Sequence, residues 1–124
     1  MVLIVGGYCQ GKLDFAKETW GLADADIADG AACEPGAIFQ KSALNSLHLL
    51  IRRMSPEPLD FFESQMDALR DKIIISDEIG LGVVPIDDEE RLWRENVGRV
   101  CCLLAQNADE VYRVCAGIPM KIKG

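Results

Sequence analysis

Apolar positions along the chain fall into two kinds of run. Val2-Leu3-Ile4-Val5 is short and unbroken and is closed by Gly6-Gly7. Such a run suits a strand buried on both faces, as in a parallel sheet. Lys72-Ile73-Ile74-Ile75-Ser76 is a second, β-branched one. Elsewhere the spacing turns helical. Residues 12–20 read as a helix stopped by Gly21. Residues 36–53 carry Ala37, Ile38, Leu44, Leu47 and Ile51 as one helical stripe, broken by Ser55-Pro56-Glu57-Pro58. Residues 59–70 place Phe62, Met66 and Leu69 on one face. Asp87 and Asp88 open a helix running to Asn107, where acidic residues suit the dipole. Its core stripe is Trp93, Val97, Val100, Cys101 and Leu104. Residues 24–29 read as a brief second strand, 110–115 as a third clear one and 120–123 as a final one. Strands alternating with helices imply an α/β fold with a mostly parallel sheet.

Composition narrows the class. A chain of 124 residues supports one domain, 1–124. Asp+Glu number 20 against Lys+Arg 13, a net charge of −7, which argues against a nucleic-acid binder. No apolar run approaches the roughly 20 residues of a membrane span, and the N-terminus reads as a strand, not a signal peptide. Cys9, Cys33, Cys101, Cys102 and Cys115 form no C-x-x-C, and the single histidine, His48, lies far from any cysteine pair. That pattern argues against zinc and for free, mostly buried thiols in a cytoplasmic protein.

Candidate chemistry begins at the first strand end. Gly6-Gly7-Tyr8-Cys9-Gln10-Gly11-Lys12 fits G-x-x-x-x-G-K between a buried strand and a helix, the context a phosphate-binding loop needs. Backbone N–H groups there converge on an oxyanion, and the helix N-terminus adds positive potential. Lys12 would reach the phosphates. The next position, where a Ser or Thr hydroxyl would hold Mg²⁺, is Leu13, which ligates no metal. The loop also reads as a plain glycine-rich turn. Candidate Mg²⁺ carboxylates are Asp29, at the end of the possible second strand, and Glu78, just past strand 72–76 at the carboxyl edge. Asp29-Gly30 equally reads as a turn, Glu78 as a loop carboxylate, and Asp77 is a weaker candidate. Arg91, Arg94 and Arg99 follow on the long helix. Arg94 is the arginine expected to offset charge in phosphoryl transfer, although these arginines also read as a solvated face paired with Glu90 and Glu95.

The stretch Glu78-Ile79-Gly80-Leu81-Gly82-Val83-Val84-Pro85 resembles the E-[VI]-G-x-G-[IV]-V-P of the bifunctional adenosylcobinamide kinase/adenosylcobinamide-phosphate guanylyltransferase family of cobalamin biosynthesis. Arg91-Leu92-Trp93-Arg94-Glu95 with Gly98-Arg99 is similar to that family's R-x-F-R-D and G-R. Ala108-Asp109-Glu110-Val111 matches A-D-E-V, and Gly117-Ile118-Pro119-Met120-Lys121-Ile122-Lys123 resembles G-[IL]-P-x-x-[LI]-K.

The resemblance implies a three-layer P-loop NTPase-like fold, nucleotide at the loop, and a homo-oligomer, trimer or dimer. It implies phosphorylation of a corrinoid side-chain hydroxyl by ATP or GTP, followed by guanylyl transfer through a histidine. The chain departs from it in three ways. Leu13 replaces the loop serine, Cys101-Cys102 replaces Asn-Gln, and the segment that carries the guanylylated histidine is missing between Trp20 and Ala37. His48 sits mid-helix in another context and is read as structural. The guanylyltransferase half is therefore expected to be absent. Two readings stand: a cobinamide kinase-like enzyme, or a non-catalytic nucleotide- or corrinoid-binding paralogue acting as a regulatory or assembly subunit. A pocket for inorganic phosphate alone is a third. Trp20, Phe39, Phe61 and Trp93 are expected to serve contacts between copies.

Overall fold

A computed structural model describes residues 1–54, 57–79 and 87–124. Its frame is a six-stranded sheet built from β1 (Val2–Gly6), β2 (Ile27–Asp29), β3 (Ala43–Asn45), β4 (Ile73–Asp77), β5 (Glu110–Cys115) and β6 (Ile118–Lys123). The spatial order is β2-β3-β4-β1-β5-β6, with every pairing parallel except β5–β6. The helices are α1 (Lys12–Trp20), α2 (Leu47–Arg53), α3 (Pro58–Ser64) and α4 (Asp88–Asn107).

The alternation of side chains along each strand explains the three layers. On β1, Leu3 faces one core and Ile4 the other. On β4, Ile74 opposes Ile73 and Ile75 in the same way. One core joins Leu3, Leu44, Ile74 and Val111 to Leu50, Phe62, Val100 and Leu104 of α2, α3 and α4. The other packs Ile4, Ile75 and Val114 under Ala16 of α1. Both strands are buried on both faces, so each reads as a continuous apolar run. The mostly parallel three-layer α/β fold expected from the sequence is the one observed.

Helix ends follow local chemistry. Asp87 caps α4 by accepting the Glu89 N–H at 2.9 Å, and three acidic residues occupy its first turn. Gly21 ends α1 in the left-handed region, its N–H on the Lys17 carbonyl. At the far end of α4, Lys123 Nζ donates to the Ala105 and Gln106 carbonyls at 2.8 and 3.0 Å, tying β6 to the helix. No helix among the described residues is long and apolar enough to cross a membrane.

Several local expectations are corrected. Residues 36–53 are not one helix. A 3-10 turn (Pro35–Gln40), the strand β3 and the short helix α2 share the segment. Lys41 is extended, with φ −124° and ψ 164°, and Leu44 is a buried strand residue between β2 and β4. Three short buried elements in succession mimic a helical stripe, because each contributes one or two apolar residues. Residues 24–29 divide into a 3-10 turn over Asp24–Asp26 and the strand β2. Residues 59–70 divide into α3 and a 3-10 turn over Met66–Leu69.

The four aromatics expected at contacts between copies pack within the chain. Trp20 meets Phe15 and Tyr112 at ring distances of 5.5 and 5.8 Å, and Phe39 meets Phe61 at 6.1 Å. Arg52 lies 4.3 Å over the Trp93 ring. Ile118, Met120 and Ile122 of β6 are exposed, as are Tyr8 and Leu92.

Phe62 is fully buried at the centre of the larger core. Phe62→Ala is expected to cost about 3–5 kcal/mol through lost burial and the cavity left behind. Urea unfolding monitored by circular dichroism checks this, and a loss below about 1 kcal/mol would contradict the packing described.

Candidate functional site

Gly6 ends β1 where β5 comes close. A Cβ there would stand 2.4 Å from the Val114 carbonyl oxygen, so only glycine allows the approach. The chain then turns through Gly7–Gly11 with Cys9 at φ 54° and Gly11 at φ 91°. Gln10 braces this turn. Its carbonyl accepts the Gly117 N–H at 2.8 Å, and its Oε1 accepts the Ala116 N–H at 2.6 Å. Ala116 and Gly117 both have positive φ and form the two-residue β5–β6 connection, the conformation a tight hairpin favours. Gly11 then begins α1 with no side-chain cap, leaving first-turn N–H groups available to an anion.

Lys12 is buried, with 6% of its surface exposed. Its Nζ donates to the Gly7 carbonyl at 2.6 Å and lies 2.8 Å from Asp77 Oδ1. Asp77 ends β4 directly beside the loop, because the β1–β4 register pairs Gly6 with Asp77. Asp77 Oδ2 lies 3.3 Å from His48 Nε2. The Asp77 backbone N–H donates to His48 Nδ1 at 3.2 Å, which places the proton of the neutral ring on Nε2. Burial holds the His48 pKa below its ordinary value; the Asp77 carboxylate opposes that shift and the Lys12 charge adds to it.

These groups border one cavity of about 470 Å³. The loop from Tyr8 to Gly11, with Lys12 and Leu13, forms one wall. Asn45, Ser46, His48 and Leu49 from the β3–α2 junction form another, and Asp14, Asp77, Ile79 and Trp93 complete it. The cavity lies at the carboxyl ends of β1, β3 and β4, where open α/β sheets place ligands. Leu13 leans on the smaller core with Phe15 and Trp20, and Tyr8 is turned outward, 81% exposed, so neither fills the junction. Gly6 and Gly7 are not among its lining residues.

Three candidate residues are placed elsewhere. Glu78 does not face Lys12. Successive residues point to opposite sides of an extended chain, so Asp77 turns to the loop and Glu78 to Arg113, which holds it at 2.9 and 3.0 Å. Asp29 ends β2, with β3 and β4 between it and β1, and its Oδ1 accepts the Ala31 N–H at 2.9 Å in a local turn. Arg94 lies 3.8 Å from Glu90, one turn earlier on α4, and borders no part of the cavity. The expected hook at Gly80–Pro85 falls outside the described residues. Asp77, His48, Asn45 and Ser46 are the site residues that sequence reading underweighted. Their signal was position, since all lie at or just past the carboxyl end of a strand. The Cys101 thiol, on α4 near Ser76, is pushed up to about 11 by burial and is inert in the neutral range.

Leu13 offers no oxygen, Asp77 is engaged by Lys12 and His48, Glu78 by Arg113, and no group of three or more potential metal ligands occurs among the described residues.

The His48 ring sets a pH dependence. Its folded-state pKa lies below the ordinary value of 6.5. As pH falls through 6.5 the unfolded chain therefore takes up a proton before the folded one, and stability is lost until the folded ring also protonates. Unfolding free energies measured between pH 7.5 and 5.5 are expected to decline for the wild type and to be flatter for His48→Gln. Equal slopes would contradict the buried neutral imidazole.

Comparison with known proteins bears on residues beyond the loop. A family model described as cobinamide kinase / cobinamide phosphate guanyltransferase matches residues 42–122, close to two-thirds of the chain. The bifunctional adenosylcobalamin biosynthesis protein CobU of Salmonella typhimurium strain LT2 is 43% identical over 51 residues, covering 41% of this chain and 28% of that protein. CobU of Escherichia coli K12 is 41% identical over 51 residues, with the same coverage. The bifunctional protein CobP of Pseudomonas aeruginosa PAO1 is 36% identical over 52 residues, covering 42% of this chain and 30% of its own length. The matched stretch thus spans less than a third of each of these relatives. The family match includes the β3–α2 junction, β4 and the α4–β6 unit, and it begins after the glycine-rich loop. On the strength of that match, the chain belongs to the cobinamide kinase / cobinamide phosphate guanyltransferase family.

Proposed function

We propose that this chain binds the phosphates of ATP or GTP at Gly6–Leu13 and transfers the terminal phosphoryl group to the side-chain hydroxyl of adenosylcobinamide, in cobalamin biosynthesis. The observation that carries the reading is the convergence of the buried Lys12 ammonium and the uncapped start of α1 on the cavity bordered by Asp77, His48 and Ser46. The family match supports the substrate class. In the transfer, the acceptor oxygen forms a bond to the terminal phosphorus as the bridging P–O bond breaks, and the nucleoside diphosphate leaves. Positioning and fixed charge supply the rate, with no covalent intermediate on the protein. Lys12 moves from Asp77 toward the transferring phosphate. Asp77 Oδ1, released from Lys12, lies at the cavity wall in a position to accept the hydroxyl proton.

Guanylyl transfer is outside this proposal, because His48, the only histidine, has both ring nitrogens turned to Asp77 and presents no free nucleophile. The protein works as a homo-oligomer in the cytoplasm, where its free cysteines suit a reducing compartment. The second reading, binding without chemistry, is favoured by one observation: Leu13 stands where the loop would need a metal-holding hydroxyl.

Calorimetry with ATP and GTP, with and without Mg²⁺, tests binding, and transfer of the γ-phosphate to adenosylcobinamide tests chemistry. Lys12→Met is expected to weaken nucleotide binding about 10- to 100-fold, the value of a charge-assisted hydrogen bond of about 1.5–3 kcal/mol. Thermal melting of the variant separates loss of binding from loss of fold. Wild-type protein that binds neither nucleotide would overturn the proposal. Binding without transfer selects the non-catalytic reading.

A further inference from the structure

His48 lies in a run of leucines and is 7% exposed, the surroundings of an ordinary core histidine. Its contacts are not those of one. Both ring nitrogens engage the same residue: Nδ1 accepts the Asp77 backbone N–H at 3.2 Å, and Nε2 faces Asp77 Oδ2 at 3.3 Å. The remaining carboxylate oxygen, Oδ1, is 2.8 Å from Lys12 Nζ. One carboxylate thus bridges the imidazole and the loop lysine, both of them buried. Hydrogen bonds in such surroundings reinforce one another, and an unmade one is costly.

The imidazole has a fixed base. The His48 carbonyl accepts Trp93 Nε1–H at 2.8 Å, which ties the first turn of α2 to α4. The β3–β4 pairing brings the start of α2 and the end of β4 to the same sheet edge. The ring therefore reaches Asp77 from a frame set by the sheet and by the longest helix, independently of the loop.

We infer that His48 is a positioning residue for the anion site: by gripping Asp77 at both its N–H and its carboxylate, it fixes the oxygen that holds Lys12 Nζ at the cavity wall. The inference rests on reading the loop as the nucleotide site. His48 touches no reacting atom. Without it, the Asp77 carboxylate turns about its side-chain torsions, Lys12 loses a fixed counter-ion, and nucleotide binding carries the cost of ordering both. The Nε2–H tautomer is essential to the grip, since a proton on Nδ1 would meet the Asp77 N–H donor head-on.

The test uses the intact protein, whose single histidine gives one imidazole signal. Long-range ¹H–¹⁵N NMR at pH 7.5 is expected to show the Nε2–H tautomer, a measurement that requires no variant to fold. Calorimetry then follows whichever of ATP or GTP the wild type binds more tightly. His48→Ala is expected to weaken that binding about tenfold. His48→Gln keeps a donor for the carboxylate and is expected to recover most of the loss. In an Asp77→Asn background, His48→Ala is expected to change affinity less than twofold, because a residue acting through Asp77 has nothing left to act on. An Nδ1–H tautomer, or an equal loss in both backgrounds, overturns the role of His48 while leaving nucleotide binding intact. A wild type that binds no nucleotide overturns the binding reading and this role together.

Discussion

A lysine ammonium taken out of water is tolerated only where acceptors replace its hydration. Lys12 meets that condition with the Gly7 carbonyl and the Asp77 carboxylate, and much of the local architecture serves that pairing. Gly7 must curl back over the helix start, which requires the glycine-rich turn. Asp77 must stand beside the loop, which requires β4 as the parallel neighbour of β1 in the register that sets Gly6 opposite Asp77. His48 must reach across from α2, which requires β3 next to β4. The same pair sets a buried cation and a carboxylate side by side at the cavity wall.

Much of the fold was legible because burial on both faces leaves an unmistakable trace. Val2–Val5 and Ile73–Ile75 could be little else than central strands, and α1 was readable from Lys12 to Gly21 since a glycine with positive φ marks its end. What failed was the short middle of the chain. Three residues of β3 cannot show a period, and Leu44 fell in helical phase with neighbours that belong to other elements. At the site, the loop was visible as a motif because glycine spacing is local information. The partner of Lys12 was not, because choosing Asp77 over Glu78 depends on which way one residue at a strand end faces. His48 was hidden by leucines whose burial says nothing about where the imidazole atoms point.

Membership of the family and the geometry of the loop come from different parts of the chain. The family match begins at residue 42 and fixes the kinship of the β3–α2 junction, β4 and the α4–β6 unit. The loop stands before it and owes its reading to strand, turn, lysine and helix. The two meet in the cavity, where Lys12 from the first part is held by Asp77 from the second, and Asp77 in turn by His48. That meeting is why the fold could not be replaced by a loop alone: the lysine's carboxylate partner arrives from a strand more than sixty residues away in sequence.

The brace between Gln10 and the β5–β6 turn joins residues 106 positions apart. Contacts of such separation close late, since the entropy of a long loop must be overcome before they form. A ribosome-bound chain that has emerged only as far as β4 would own the glycines and the lysine yet lack the strut that shapes them. The shape of the turn that presents Lys12 is thereby tied to completion of the sheet.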